Sequence, residues 1–290
     1  MKLGNVVIAC CTKNSEPFLT AGLRNIERIG SLFHKCTVVF VENDSKDNTK
    51  HIINQWGKSA GNFHFINFDG LDAREKHRTL RLEITRNAYI DFLINHPHVK
   101  DTDFVIVLDL DDRATHPLNE QDLIRAIHFL HNRKNGAAVF ANQIGSYYDL
   151  WALRHPLLCP FDFWHEVMKH ALTTRNSDQE SMDAIYQKVV HSIDPTEDPI
   201  LVESAFGGLG IYKYKYLVEN PMRYVGSCTH YVLGETENFF YKMESCEHVT
   251  LHKGISLQGG EMFILPNLIN GNNHATGTLN PSAFRGLIIN

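Results

Sequence analysis

Three carboxylates, Asp109, Asp111 and Asp112, follow directly on the apolar run Phe104 to Leu108, so that FVIVL passes straight into DLDD. Acids at the exit of a buried strand suit a hard divalent cation, Mn2+ or Mg2+, which keeps some water and completes its shell with diphosphate oxygens. An Asp that only caps the next helix is the plainer reading of such a turn. A second acidic turn, ENDSKDNT, offers Glu42 and Asp44 as acceptors for base or ribose donors, with Ser45 and Asp47 as turn and cap residues. A well-made Asx turn uses the same residue types. Between the two turns lie Arg74, Arg78, Arg81 and Arg86, a density of guanidinium groups that can hold a diphosphate or neutralise a leaving group. The alternative for any one of them is a solvated helix face with Glu75 and Glu83 as partners.

These residues need elements to position them, and the first half of the chain supplies alternating strand and helix patterns. Val6 to Cys10 reads as a strand, followed by helical spacing at Phe18, Leu19, Leu23, Ile26 and Ile29. Thr37 to Val41 is a second strand, with a short helix around Ile52, Ile53 and Trp56. Phe63 to Phe68 is a third, His77 to Asn95 a helix, and Phe104 to Leu108 a fourth strand. β-Branched strands separated by helices predict a largely parallel sheet covered on both faces. Ligands of such sheets sit beyond the carboxyl ends of the strands. That rule selects Cys11 to Asn14, including Thr12, then Glu42 to Ser45, and Asp109 to Asp112. The second half predicts strands at Ala138 to Ala141 and Tyr148 to Leu153, and a Pro- and aromatic-rich loop from His155 to Trp164. Further on it predicts a helix near Ser181 to Val190, a strand from Leu201 ending in AFGGLGIYKYKYL, a helix at Cys246 to Ile255 and a strand at Met262 to Leu265.

The 290 residues carry 43% hydrophobic and 21% charged side chains, which excludes disorder and predicts one continuous domain. Lys and Arg total 28 against 33 Asp and Glu, so no basic field gathers nucleic acid. No apolar run approaches the roughly 20 residues of a membrane helix, and MKLGNVVIACCTKN lacks a signal peptide's cleavage pattern. The expected setting is cytoplasmic, including one near a membrane. The six cysteines show no CxxC spacing and read as reduced thiols.

Taken in order, the strand-one exit, ENDSKDNT, the Arg86-Asn87 pair and DLD resemble the nucleotide-binding half of GT-A fold glycosyltransferases. FGGLGIYK, from Phe206 to Lys213, is similar to the family's glycine pair at the donor sugar, and CEHVTLHKGISLQGGEMFILP to its acidic helix, Gly, strand and Pro. YDLWALR and SCEH add a narrower resemblance to capsule-associated mannosyltransferases. The resemblance implies a Rossmann-related α/β domain over 1–290, with nucleotide binding in 1–115 and acceptor binding in 116–290.

It also implies roles. Thr12, Glu42, Asp44 and Ser45 would line the nucleoside site, Asp109 would reach ribose or metal, and Asp111 would bind the metal. Arg86 would face the departing diphosphate, and Gly207 and Gly208 the sugar. Glu247 is the implied general base, with Glu203 as its rival; His274 and His252 compete as a further metal ligand. Asp149, Trp151 and Arg154 suit a sugar pocket, and the 155–164 loop a cover for the acceptor. The expected function is metal-dependent transfer of a sugar from a nucleotide-diphosphate sugar to the hydroxyl of a glycan or glycoconjugate. A nucleotidyltransferase would need a glycine-rich phosphate loop after strand one, which CCTKNSEP does not provide. A non-catalytic nucleotide- or carbohydrate-binding protein is the remaining alternative.

Overall fold

The computed structural model describes residues 2–174, 176–233, 238–273 and 288–289. Three βα units open the chain. They are β1 (Leu3–Thr12) with α1 (Glu16–Ser31), β2 (Phe33–Asn43) with α2 (Thr49–Ala60), and β3 (Phe63–Phe68) with α3 (Leu71–Arg74) and α4 (Arg78–Asn95). Next come β4 (Phe104–Leu108), α5 (Glu120–Asn132), β5 (Gly136–Gly145), α6 (Phe163–Thr174) and α7 (Asp178–Val189). The chain ends with β6 (Ile200–Val202), β7 (Leu209–Lys213), α8 (Tyr214–Val218), β8 (Ser227–Leu233), β9 (Asn238–Glu244), α9 (Glu247–Leu257), β10 (Glu261–Asn273) and β11 (Ile288–Ile289).

Eight strands form one sheet in the order β3-β2-β1-β4-β7-β5-β10-β6, and β11, β9 and β8 form a second, small sheet. In the main sheet β1 to β4 are parallel, β10 is parallel to β5, and only β7 and β6 run against their neighbours. Strand β7 comes from the second half of the sequence yet pairs with β4 from the first, so one sheet unites both halves. The expected mostly parallel α/β domain is what forms.

Period-two alternation builds the two faces. Val7, Ala9, Val39, Val41, Val105 and Val107 enter one core with Tyr89, Ile90 and Leu93 of α4. Val6, Ile8, Cys10, Val38, Phe40 and Ile106 enter the other, against Leu19, Leu23, Ile26 and Ile29 of α1 and Leu123, Ile127 and Leu130 of α5. Because both faces are covered, β1 and β4 are buried at every position from Val6 to Cys10 and from Phe104 to Leu108.

The second half departs from its sequence pattern in three places. Tyr148 to Leu153 is a turn rather than a strand: the Asp149 carbonyl accepts from Leu153 N (3.1 Å) and its carboxylate from Ala152 N (3.2 Å). Helix α6 begins at Phe163, inside the segment expected to be a loop. The single strand expected from Leu201 is two, β6 and β7, separated by the glycine pair.

Helix α4 is the joint between halves. Glu244, at the end of β9, accepts from Thr79 N at 2.7 Å and thereby caps the first turn of α4. The Thr79 hydroxyl lies 2.6 Å from both Glu244 Oε2 and Gly226 O, and Gly226 N donates to Glu83 at 2.8 Å. Further along, Asn87 pairs like a strand edge with the backbone of Tyr224, at 2.9 and 3.1 Å. Glu244 and Thr79 are both buried. Replacing Glu244 by Ala leaves the buried Thr79 N–H without its acceptor, while the Thr79 hydroxyl keeps Gly226 O, and should lower the unfolding free energy by about 1–3 kcal/mol in urea denaturation. Glu244→Gln, which retains an acceptor, should lose less.

Candidate functional site

Where β1, β2 and β4 end, a cleft of about 280 Å3 opens. Its cations are Lys13, from the turn after β1, and Arg78, Arg81 and Arg86, from α4. The spacing 78, 81, 82, 85, 86 places one helical face along the cleft, with Leu82 and Thr85 between the guanidinium groups. Opposite them stand Asp109 and Asp111, and Thr12, Ser15 and Asn43 complete the wall. Arg74 is not part of that face; it ends α3 and turns back to the Gly70 carbonyl at 3.4 Å. Nor are Glu75 and Glu83 counter-ions for the cleft, since they accept from His77 N and Gly226 N.

The deepest cation is Arg86, 3% exposed. Its Nε donates to Glu247 Oε1 at 2.8 Å and its Nη2 to Asp109 Oδ1 at 3.1 Å. Phe206 and Tyr224 close over the guanidinium, with ring centroids 5.0 and 5.8 Å from Cζ. Burial alone would favour losing its proton, but Asp109 and Glu247 outweigh that and hold it charged. Its Nη1 is buried without a partner and belongs to a residue that lines the cleft. Asp109 therefore has one oxygen on Arg86, while Asp111 is exposed. Two carboxylates from one turn are a donor set for a hard cation that keeps water and takes phosphate oxygens. Among the described residues no group of three His, Cys, Asp or Glu side chains stands ready to hold a metal alone.

The two preceding turns are welded together. Asn14 (φ 50°) and Asp44 (φ 51°) both adopt the left-handed conformation, which Asn and Asp tolerate best among side chains with a Cβ. Asn14 N donates to Ser45 Oγ at 2.9 Å, and Asn14 Oδ1 accepts from Lys46 N at 2.8 Å. Asp44 accepts from Gly70 N and Asp72 N at 2.6 and 2.7 Å, and these backbone donors, Asp72's first, hold its carboxyl below the usual range. Glu42 is fully buried, accepting from Ser45 N at 2.7 Å, with Lys50 Nζ 3.2 Å from its other oxygen. The carboxylates of Glu42 and Asp44, expected at the nucleoside, hold the turn itself, and Ser45 joins it to the first. Thr12 keeps its expected place in the cleft wall, donating to Ser15 Oγ at 2.8 Å. Sequence reasoning did not single out Lys13 or Asp72. Lys13 and Arg81 both pair with Asp72, the latter at 3.2 Å. The strand-exit rule already contained Lys13, whereas Asp72 comes from a four-residue helix with no periodic signature.

Gly207 and Gly208 have φ of 67° and 82°. A Cβ on Gly207 would approach the Ala141 carbonyl to 2.7 Å, so this turn requires glycine. Gly208 O accepts from Asp109 N at 3.0 Å, Gly207 N donates to Asp149 at 3.0 Å, and Gln143 and Asn270 donate to Gly207 O. The glycine pair, Asp109 and Asp149 are therefore brought together. Trp151 and Arg154 are not: both bond to Asp162, at 3.1 and 2.5 Å, and fasten the loop.

Glu247 lies at the start of α9, 4% exposed, with its carboxylate paired to Arg86. Glu203 is exposed beyond the edge strand β6, its N–H on the Arg154 carbonyl at 2.9 Å. His252 is corrected as a metal ligand. It is fully buried, with Nδ1 on Ser204 Oγ (2.8 Å) and Nε2 on the Tyr212 hydroxyl (3.0 Å), and burial followed by Arg86 pushes its pKa down to about 3. His274 lies outside the described residues.

No protein-family profile matches the sequence, and no curated protein matches it. Solved structures do. The mannosyltransferase PcManGT from Pyrobaculum calidifontis, in complex with GDP-Man and Mn2+, superposes with a TM-score of 0.50 at 13% identity, over 94% of this chain and 58% of that one. This chain has the GT-A glycosyltransferase fold. The S. aureus TarS fragment 1-349 in complex with UDP gives a TM-score of 0.47 at 13% identity, over 93% of this chain and 59% of that one. The chain thus spans less than two thirds of the length of either. Within the GT-A fold, the cleft beyond β1, β2 and β4 is the strand-exit crevice of an open α/β sheet.

Arg86→Ala would leave Glu247 buried without its cation, and should cost about 3–5 kcal/mol in chemical denaturation. Arg86→Lys, which keeps a charge but loses the fork that reaches two carboxylates, should fall between that variant and the wild type.

Proposed function

We propose that this protein is a glycosyltransferase that takes its sugar from a nucleotide-diphosphate sugar. The observation that carries this reading is the pairing, across one cleft of a GT-A fold, of Lys13, Arg78, Arg81 and Arg86 with Asp109 and Asp111. A diphosphate needs cations at fixed positions, and the leaving nucleoside diphosphate gains negative charge as the glycosidic bond breaks. Arg78 has no ion pair among the described residues and stands exposed at the mouth, open to a phosphate. Lys13 and Arg81 are held by Asp72, a carboxylate that a phosphate can replace at the same cations.

Asp109 and Asp111 would hold a Mn2+ or Mg2+ ion, which supplies further neutralisation of the diphosphate when bound. Asp109 also takes the Gly208 carbonyl as its backbone acceptor and Arg86 as its cation, so its free oxygen is aimed by three fixed contacts: strand, glycine turn and helix. The acceptor is a hydroxyl of a glycan or glycoconjugate, admitted on the side of the glycine pair and Asp149. GDP-Man in PcManGT and UDP in TarS make guanine and uracil donors the first to test, with mannose among the sugars.

Titration calorimetry with UDP and GDP, each with Mn2+ and with EDTA, tests the reading. One nucleotide should bind with metal, and Asp111→Ala should weaken that binding by at least about tenfold while leaving the melting temperature unchanged, because Asp111 is exposed. Arg81→Ala should weaken it by a similar factor. Binding of neither nucleotide by the folded protein would overturn the reading.

A further inference from the structure

A second recess lies at the other end of the sheet, where β1 and β4 begin. It has two chambers of about 390 Å3 each, which share Gly4, Phe104 and His131. The first is mainly apolar, lined by Leu3, Leu32, Phe104, Ile124 and Ile127. The spacing 124, 127, 128, 131 is one face of α5, and that face passes from two isoleucines to two histidines. The second chamber is basic, lined by Lys213 and Lys215 on either side of Tyr214.

Strand register sets the charge beside the apolar surface. Phe104 of β4 lies opposite Lys213 of β7 in an antiparallel ladder, so the two side chains leave the same face of the sheet. The half-buried Lys213 is fixed by its Nζ, which donates to the Arg133 carbonyl at 2.7 Å. The Lys215 Nζ lies 4.7 Å from the centre of the Tyr216 ring. Neither ammonium has a carboxylate partner among the described residues. Asp103 is the one acid among the described residues lining either chamber, and its Oδ2 accepts from Asn5 N at 2.7 Å. Burial and then the Lys215 charge lower the pKa of Lys213, and a bound anion would offset the second of these.

We propose that this recess binds a free fatty-acid-like amphiphile, with its chain in the apolar chamber and its carboxylate at Lys213 and Lys215. The site is separate from the glycosyltransferase reading, since the cleft stands at the carboxyl ends of β1 and β4 and the recess at their amino ends. A neutral chain would leave the two ammonium groups without an anion, and a nucleotide would place a polar base or ribose against isoleucine and phenylalanine. The chamber volume lies in the range of small-molecule pockets. A free amphiphile fits better than a membrane surface because the apolar lining is recessed: Phe104 is 6% exposed and Ile127 3%. The most exposed large apolar side chains described, Leu157, Leu172 and Leu257, lie on other elements, so none of them rims this recess for insertion among lipids.

The experiment titrates decanoate, kept below its micellar range, into the protein by calorimetry, with acetate as the head group lacking a chain. Decanoate should bind at one-to-one stoichiometry and acetate should not. The double variant Lys213→Glu, Lys215→Glu should weaken decanoate binding by at least about tenfold, because like charge then meets the carboxylate. Ile124→Glu, at a partly exposed position of α5, should weaken it by a similar factor through the chain. If one variant does not fold, the other decides. Sedimentation with phosphatidylglycerol vesicles separates the two sources of such a ligand, and the protein should stay in the supernatant. Absence of decanoate binding, a folded variant that binds it at wild-type strength, or pelleting with the vesicles overturns the proposal. UDP and GDP binding, measured on the same samples, should be unchanged in these variants, so failure here and failure of the transferase reading are read separately.

Discussion

One buried guanidinium sets the arrangement of this site. Arg86 is held from three directions: by Asp109 at the end of a central strand, by Glu247 at the start of α9, and by the rings of Phe206 and Tyr224. A charge removed from water at this depth is tolerated only when it is paired and bonded. The site therefore cannot relax one of these elements without moving the others. The last turn of β4, the glycine turn and α9 come from distant parts of the chain, and this ion pair fixes them relative to α4.

The same helix also carries the open part of the cleft. Its first turn is anchored by Glu244 and Gly226, and its middle by Asn87 against Tyr224. Arg78 and Arg81 then project from a support that does not depend on any ligand. On the facing side, the turns after β1 and β2 are tied to each other and to α3 through Asn14, Ser45 and Asp44. A cleft built this way is pre-formed, so that a diphosphate bound there as proposed would exchange carboxylate contacts at Lys13 and Arg81 rather than fold a loop.

The first half of the fold was legible in the sequence because its strands are buried on both faces and its helices follow them at regular spacing. Phe63–Phe68 and Phe104–Leu108 are strands with the bounds that the apolar runs suggest. The second half was harder to read for physical reasons. Tyr148 to Leu153 carries strand-forming residues, but Asp149 bends the backbone onto itself through its own side chain. The antiparallel pair β8 and β9 was not singled out from the sequence. Among the candidate site residues, the strand-exit rule selected Thr12, Asp109 and Asp111, whereas Arg86 was suggested by guanidinium density and the glycine pair by the resemblance. Residue type in ENDSKDNT suggested ligand contacts where the structure uses the same atoms for turn geometry. His252 illustrates the limit most clearly: helical spacing placed it near Glu247, and only the packing shows both of its nitrogens already engaged.

The cleft beyond β1, β2 and β4 is the proposed diphosphate site. A crystal structure of the protein grown with GDP or UDP and Mn2+ tests this most directly. Diphosphate oxygens should lie against Lys13, Arg78 and Arg81, and Asp109 and Asp111 would hold the ion. A nucleotide bound elsewhere, with Asp72 still holding Lys13 and Arg81, would contradict it.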